Sequence, residues 1–152
     1  MKAKYTIAVL ALALCAAAPG RATADSVQEV VIIANDQMKF NLTQIESRPG
    51  QTIHVTLKNE GALPKAVMGH NWVLLKAGQD PVVYANVAIS AANENYEPKA
   101  LADHVIASIP LLGPKRDGET TFVAPATPGT YYYLCSFPAH CQAGMRGKLI
   151  VK

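Results

Sequence analysis

The chain has 152 residues, half of them hydrophobic and 16% charged, with a formal net charge of +3. That suits one domain with a single apolar core and excludes a disordered or highly charged chain. The excess charge resides in Lys2, Lys4 and Arg21; setting those three of the 14 bases aside leaves 11 bases against 11 acids, so nothing suggests a basic nucleic-acid footprint or strong long-range steering.

Lys2 and Lys4 precede an apolar run from Ile7 to Ala18, and Ala22-Thr23-Ala24 then offers the small-x-small pattern of a signal-peptidase site. The run is too short to span a bilayer comfortably. Residues 1–24 are therefore expected to be a cleaved secretory signal. Residues 25–152 would form the mature domain, in the periplasm and without a membrane span. Cys15 offers a lipoprotein alternative, against which Leu14 stands where a lipidation box takes a small residue.

Val27 to Ala34 and Gln51 to Asn59 read as strands, the second alternating around Ile53, Val55 and Leu57. Arg48-Pro49-Gly50 and Asn59-Glu60-Gly61 are turn signals on either side of it. His70 to Lys76 reads as a further strand. From Asp80 to Leu101 strand formers thin out, and Asp80-Pro81 is a helix start with Asp as cap and Pro in the first turn. A short helix is expected over roughly residues 80–92, within an excursion outside the sheets. Strand character returns at Val105 to Ser108, Glu119 to Ala124, Thr130 to Cys135 and Lys148 to Lys152. About seven or eight short strands predict an all-β, antiparallel Greek-key sandwich.

Once the signal is removed, Cys135 and Cys141 are the remaining cysteines. They lie too close in sequence to bridge except through a tight ring, so in an oxidising compartment metal ligation becomes the leading task for a thiol. The stretch Cys135-Ser136-Phe137-Pro138-Ala139-His140-Cys141-Gln142-Ala143-Gly144-Met145 brings together a thiolate, an imidazole and a thioether. Sulfur suits copper(I) and imidazole suits copper(II), and a two-histidine, one-cysteine site with a long axial Met is the blue-copper arrangement. A second histidine is needed, from His54, His70 and His104. His54 lies inside a regular strand and His104 ends the excursion. His70 follows Gly69 at a loop-to-strand junction where backbone can approach a ligand closely, and is the choice. Gln142 is the alternative axial donor to Met145. Cys141 is expected to be a free thiol at the rim, open to oxidative dimer formation, and Trp72 a core residue.

Leu63-Pro64-Lys65, then Val67 through Leu74 (VMGHNWVL), resembles the first ligand loop of azurins. So do Asn35-Asp36-Gln37-Met38, Val105-Ile106-Ala107, and the tyrosine-rich strand leading into Cys135-Ser136-Phe137-Pro138-Ala139-His140. The resemblance covers nearly all of residues 27–152. It implies a cupredoxin sandwich, one type-1 copper and electron transfer. Under it His70, His140, Cys135 and Met145 are ligands and the Gly69 carbonyl is a weak further one. Asn71 braces the ligand loops, and Phe137 belongs to the cofactor's surroundings. An apolar patch of Met68, Phe137, Pro138, Ala139 and His140 would dock redox proteins such as c-type cytochromes, a nitrite reductase or a periplasmic dehydrogenase, with the chain a monomer. The alternative is a copper storage or delivery protein. A nitrite-reductase-like enzyme would need a second copper site and a second domain, so no enzyme activity is expected.

Three departures from the azurin pattern stand out. Four residues rather than three separate His140 from Met145, a spacing like that of plastocyanins and pseudoazurins. Gln28 and Gly50 stand where azurins carry a disulfide. Asn59 and Ser108 stand where azurins carry histidines outside the metal site, so a pH switch based on them is not expected.

Overall fold

The computed structural model describes residues 26–152, so the expected signal segment, residues 1–24, lies outside the described residues. Nine strands form two sheets. β1 (Gln28–Asn35), β2 (Lys39–Phe40), β4 (Thr52–Asn59) and β7 (Arg116–Val123) make one, in the order β2-β1-β4-β7. β3 (Gln44–Ser47), β5 (His70–Leu75), β6 (Val105–Leu112), β8 (Gly129–Leu134) and β9 (Arg146–Val151) make the other, in the order β3-β9-β8-β5-β6. This is the all-β sandwich with a helical excursion that the strand spacing predicts.

The pairing departs from the expected antiparallel pattern in two places. β1 runs parallel to β4, from Gln28 beside Ile53 to Ala34 beside Asn59, and β3 runs parallel to β9. Parallel neighbours need a crossover rather than a tight turn. β3 provides it by leaving the first sheet for the second before the chain returns in β4. β2 and β3 are too short to carry a readable alternation, and β3 holds one apolar residue, Ile45.

Alternation in β4 turns Ile53, Val55 and Leu57 inward, each with no exposed surface. They meet Ile32, Trp72, Leu74, Ile109, Tyr133 and Leu149 in the main core. β5 is different, because all six of its residues are buried. Trp72 and Leu74 face the main core, whereas Val73 and Leu75 face a second cluster with Tyr84, Ala85, Ala88, Leu134 and Cys141. That cluster is covered by helix α2 (Pro81–Ala88), which is preceded by a single turn, α1 (Lys65–Met68). Asp80 caps α2 as expected, accepting from the N–H groups of Val82 at 2.7 Å and Val83 at 3.1 Å. The helix is shorter than predicted, and the excursion continues as 3₁₀ turns at Ala92–Glu94 and Lys99–His104.

β6 carries an irregularity that serves the ligand end. His70 pairs with Leu112 while Trp72 pairs with Ile109, so one extra residue is inserted opposite the start of β5. Pro110, which has no N–H to give to the ladder, lies within the bulge.

Gly147 permits close packing of β9 on β8: an ideal Cβ there would lie 2.3 Å from Tyr133 Cζ, whereas at Gly129 the nearest atom would be 3.8 Å away. Gly147→Ala is therefore expected to destabilise the fold by about 1–3 kcal/mol, as overpacking does, and Gly129→Ala to change it by no more than about 0.5 kcal/mol. Chemical denaturation of the two variants checks the contrast.

Candidate metal centre

Three segments converge at one end of the sandwich. His70 opens β5. Before it, the turn of α1 is closed by bonds from the Val67 and Met68 N–H groups to the Pro64 carbonyl, both 2.9 Å. Gly69 joins turn to strand with φ −68° and ψ 147°, a conformation open to any residue, so its requirement is one of space. An ideal Cβ there would lie 2.7 Å from the Lys65 carbonyl oxygen and 3.0 Å from Leu111 Cγ.

Cys135 directly follows β8, and its N–H donates to the Met145 carbonyl at 3.0 Å. The loop between them folds back in tight turns. His140 N–H donates to Phe137 at 3.1 Å, Ala143 N–H to Ala139 at 2.9 Å and Met145 N–H to His140 at 2.9 Å. Ala139 and Gly144 take left-handed φ values of 70° and 96° to make these turns. The result sets Cys135 Sγ 3.4 Å from His140 Nδ1, and donor atoms of His70, Cys135 and His140 all within 4.8 Å of one another. Met145 is fully buried in the same apolar cluster as Cys135 and Phe137.

The second pair of backbone-like bonds comes from a side chain. Asn71 Oδ1 accepts from Ser136 N–H at 2.8 Å, and its Nδ2 donates to Ser136 Oγ at 2.7 Å. Nδ2 also reaches the Asn95 carbonyl at 3.4 Å, and Ser136 Oγ donates to the Tyr96 carbonyl. Asn95 and Tyr96 both have left-handed φ values, which turn these carbonyls toward the site. Residue 71 thus ties the His70 strand, the Cys135 strand and the excursion together.

The donor set fits a soft transition metal. His70 and His140 are exposed by no more than 1%, and neither ring nitrogen of His70 has a hydrogen-bond partner. An orphaned buried donor or acceptor costs about 1–3 kcal/mol, an anomaly that ligation removes. Burial holds His140 down to about 4, helped by the neighbouring charge of His70, so its imidazole is neutral at pH 7. Burial also lowers His70, while Asp36 and the Asn35 backbone pull the other way without completing a hydrogen bond. Burial pushes the Cys135 thiol up to about 12 despite the opposing pull of the Asn71 and Phe137 backbone, so its thiolate needs a cation beside it.

Other expected features lie elsewhere. His54 bonds to Thr121 Oγ1 at 2.8 Å and approaches Glu119 at 3.5 Å on the sheet, an ordinary strand histidine. Trp72 is core. Asn59 is buried, donating to the Gly113 carbonyl and accepting from Gly61 N–H, both at 2.9 Å, so it braces the turn ahead of the first ligand segment.

Two expectations are corrected. Cys141 is not at the rim: it has no exposed surface, its Sγ lies 3.5 Å from the Pro81 carbonyl, and α2 covers it. An oxidative dimer through it would require α2 to lift. The surface patch also differs. Phe137 and His140 lie beneath it, while Met68 and Pro138 are half-buried and Ala139 is exposed. Leu63 and Val67, in the segment that leads to His70, are 41% and 59% exposed.

The model for copper-binding proteins of the plastocyanin/azurin family matches residues 27–152. The chain is 38% identical to auracyanin-A of Chloroflexus aurantiacus across 76% of this chain and 68% of that one. It is 37% identical to azurin of Pseudomonas fluorescens biotype A across 82% and 98%. Among solved structures, the dithionite-reduced auracyanin of Roseiflexus castenholzii superposes with a TM-score of 0.73 at 33% identity, covering 82% of this chain and 97% of that one.

The depressed histidines set a sign for the metal-free protein. A group whose folded pKa is lowered binds its proton more readily when unfolded, so stability falls once pH drops below the ordinary histidine value of about 6.5. For His140, from 6.5 to about 4, the loss accumulates to no more than about 3 kcal/mol. Urea midpoints of the metal-free protein between pH 7 and 4 check it, and replacing His140 by Gln should flatten the decline.

Proposed function

Given that this chain belongs to the plastocyanin/azurin family of copper-binding proteins, we propose that it is a periplasmic carrier of single electrons on one type-1 copper. In this reading His70, Cys135 and His140 are the equatorial ligands. Met145 is the axial ligand, and the Gly69 carbonyl is a weak further one. The observation that carries it is the buried trio of donor atoms within 4.8 Å, with both ring nitrogens of His70 lacking any other partner.

When bound, copper supplies the one-electron couple, and the mixed sulfur and imidazole set serves both of its oxidation states. The chain's own residues keep the change between states small. Asn71 and Ser136 fix the spacing of the His70 and Cys135 segments, and the bond from Cys135 N–H to Met145 fixes the strand on the other side. The N–H groups of Asn71 and Phe137 favour negative charge on the sulfur. Phe137 packs on His140 with ring centroids 4.7 Å apart and excludes water from its flank.

Electron entry and exit are read through the surface above His140. Met68, Pro138 and Ala139, partly exposed beside the ligand segments, would form a small apolar cover there, and small, weakly charged contacts suit brief redox encounters. c-Type cytochromes, a nitrite reductase or a periplasmic dehydrogenase are the partners proposed, with the carrier a monomer. Dry burial of the donor trio favours a carrier over a storage or delivery protein, which would present its ligands to a recipient.

Cys135→Ser is expected to give a folded protein that binds copper without the intense blue colour. Retention of that colour would overturn the ligand assignment. Met145→Leu should keep the colour but shift the optical and EPR parameters and the potential; an unchanged spectrum would move the axial role to Gln142 or to no residue. Because the Cys135 thiol is protonated before loading, binding copper(II) at pH 7 should release about one proton per site. Calorimetry in buffers of different ionisation enthalpy measures that number.

A further inference from the structure

The spacer between His140 and Met145 ends in Ala143-Gly144, two residues whose side chains offer no handle by which the fold could hold them. Its own turn bonds shape it, and it is gripped from outside on two sides. On one side Gln142 Nε2 donates to Asn86 Oδ1 of α2 at 2.8 Å, and Cys141 is sealed under the same helix. On the other side Lys39 of β2 reaches across to the Ala143 carbonyl, with Nζ donating at 2.9 Å. An ideal Cβ on Gly144 would lie 3.3 Å from that same Nζ, so the ammonium occupies the space a side chain would take. The hairpin turn between β1 and β2 delivers the lysine: Met38 N–H donates to Asn35 at 3.1 Å, and Met38 takes a left-handed φ of 56°.

We infer that Lys39 is a positioning residue for the axial side of the copper site, clamping the His140–Met145 spacer at Ala143 and so fixing the depth at which Met145 is presented. The inference rests on the copper reading above and extends it to a residue in another sheet. An ammonium donating to a carbonyl is stronger than a neutral pair, and here it acts on backbone two residues before Met145. The α2 contacts alone leave the other side of the spacer free. With four residues to place, the loop has more ways to set Met145 than a three-residue spacer, and the lysine adds an outside hold to its internal turn bonds.

The test compares Lys39→Met and Lys39→Arg with the parent protein, copper-loaded and copper-free. Lys39→Met is expected to remain blue, with a changed balance between its thiolate charge-transfer bands and a changed EPR rhombicity. Hydrogen exchange at Gly144, Met145 and Arg146 should quicken about three- to tenfold, and Lys39→Arg should return both readouts toward the parent. Wild-type spectra and exchange in Lys39→Met would overturn the clamp. So would a shift in potential that follows charge alone with exchange unmoved, since that is the signature of an electrostatic effect without positioning. Exchange in the copper-free protein reads the clamp independently of the metal. A parent protein without a blue band would count against the copper reading and leave that readout in place.

Discussion

Everything at the ligand end depends on two hydrogen bonds between Asn71 and Ser136. They join the residue after one histidine to the residue after the cysteine, across 65 positions of sequence. Both partners are completely buried, so each bond replaces water that cannot reach the site, and losing one partner would strand the other. The same side chains pick up the Asn95 and Tyr96 carbonyls, which makes the excursion part of the metal centre's frame.

The frame in turn needs a strand buried on both faces. β5 could not be so placed by two sheets alone, because one of its faces would meet water. α2 and its apolar cluster close that face, and Cys141 fills the seam between the helix and the ligand loop. A cysteine with no ligand role thereby gains a packing one: small, apolar and buried, as free cysteines commonly are. The thiol that matters chemically and the thiol that matters for packing sit six residues apart.

Much of this was legible in residue order. Period-two alternation located β4, Asp80-Pro81 located the start of α2, and the spacing of Cys135 and His140 announced two of the three donors that meet. The choice of His70 over His54 followed from its loop junction, and His54 indeed spends its ring on Thr121 and Glu119. What escaped was long-range. Parallel pairing of β3 with β9 leaves no local trace, because register between distant strands is settled by packing and not by either strand's composition. The depth of Cys141 depends on α2 folding over it, and the grip of Lys39 on Ala143 spans 104 positions. Neither Gln37-Met38-Lys39 nor Gln142-Ala143-Gly144 hints at the other.

The parallel seam between β3 and β9 is closed by a strand that follows every member of the donor trio in the chain. Cys135, His140 and Met145 all precede β9, and β9 must lie between β3 and β8 before the second sheet is whole. The elements before β8 hold one member of the donor trio, His70, and β3 finds its partner strand in β9. The donor trio is therefore drawn from both sides of β8, with two of its three members in the stretch between β8 and β9. Without the stretch that follows β8, this end of the sandwich holds a single imidazole of the trio and no thiolate.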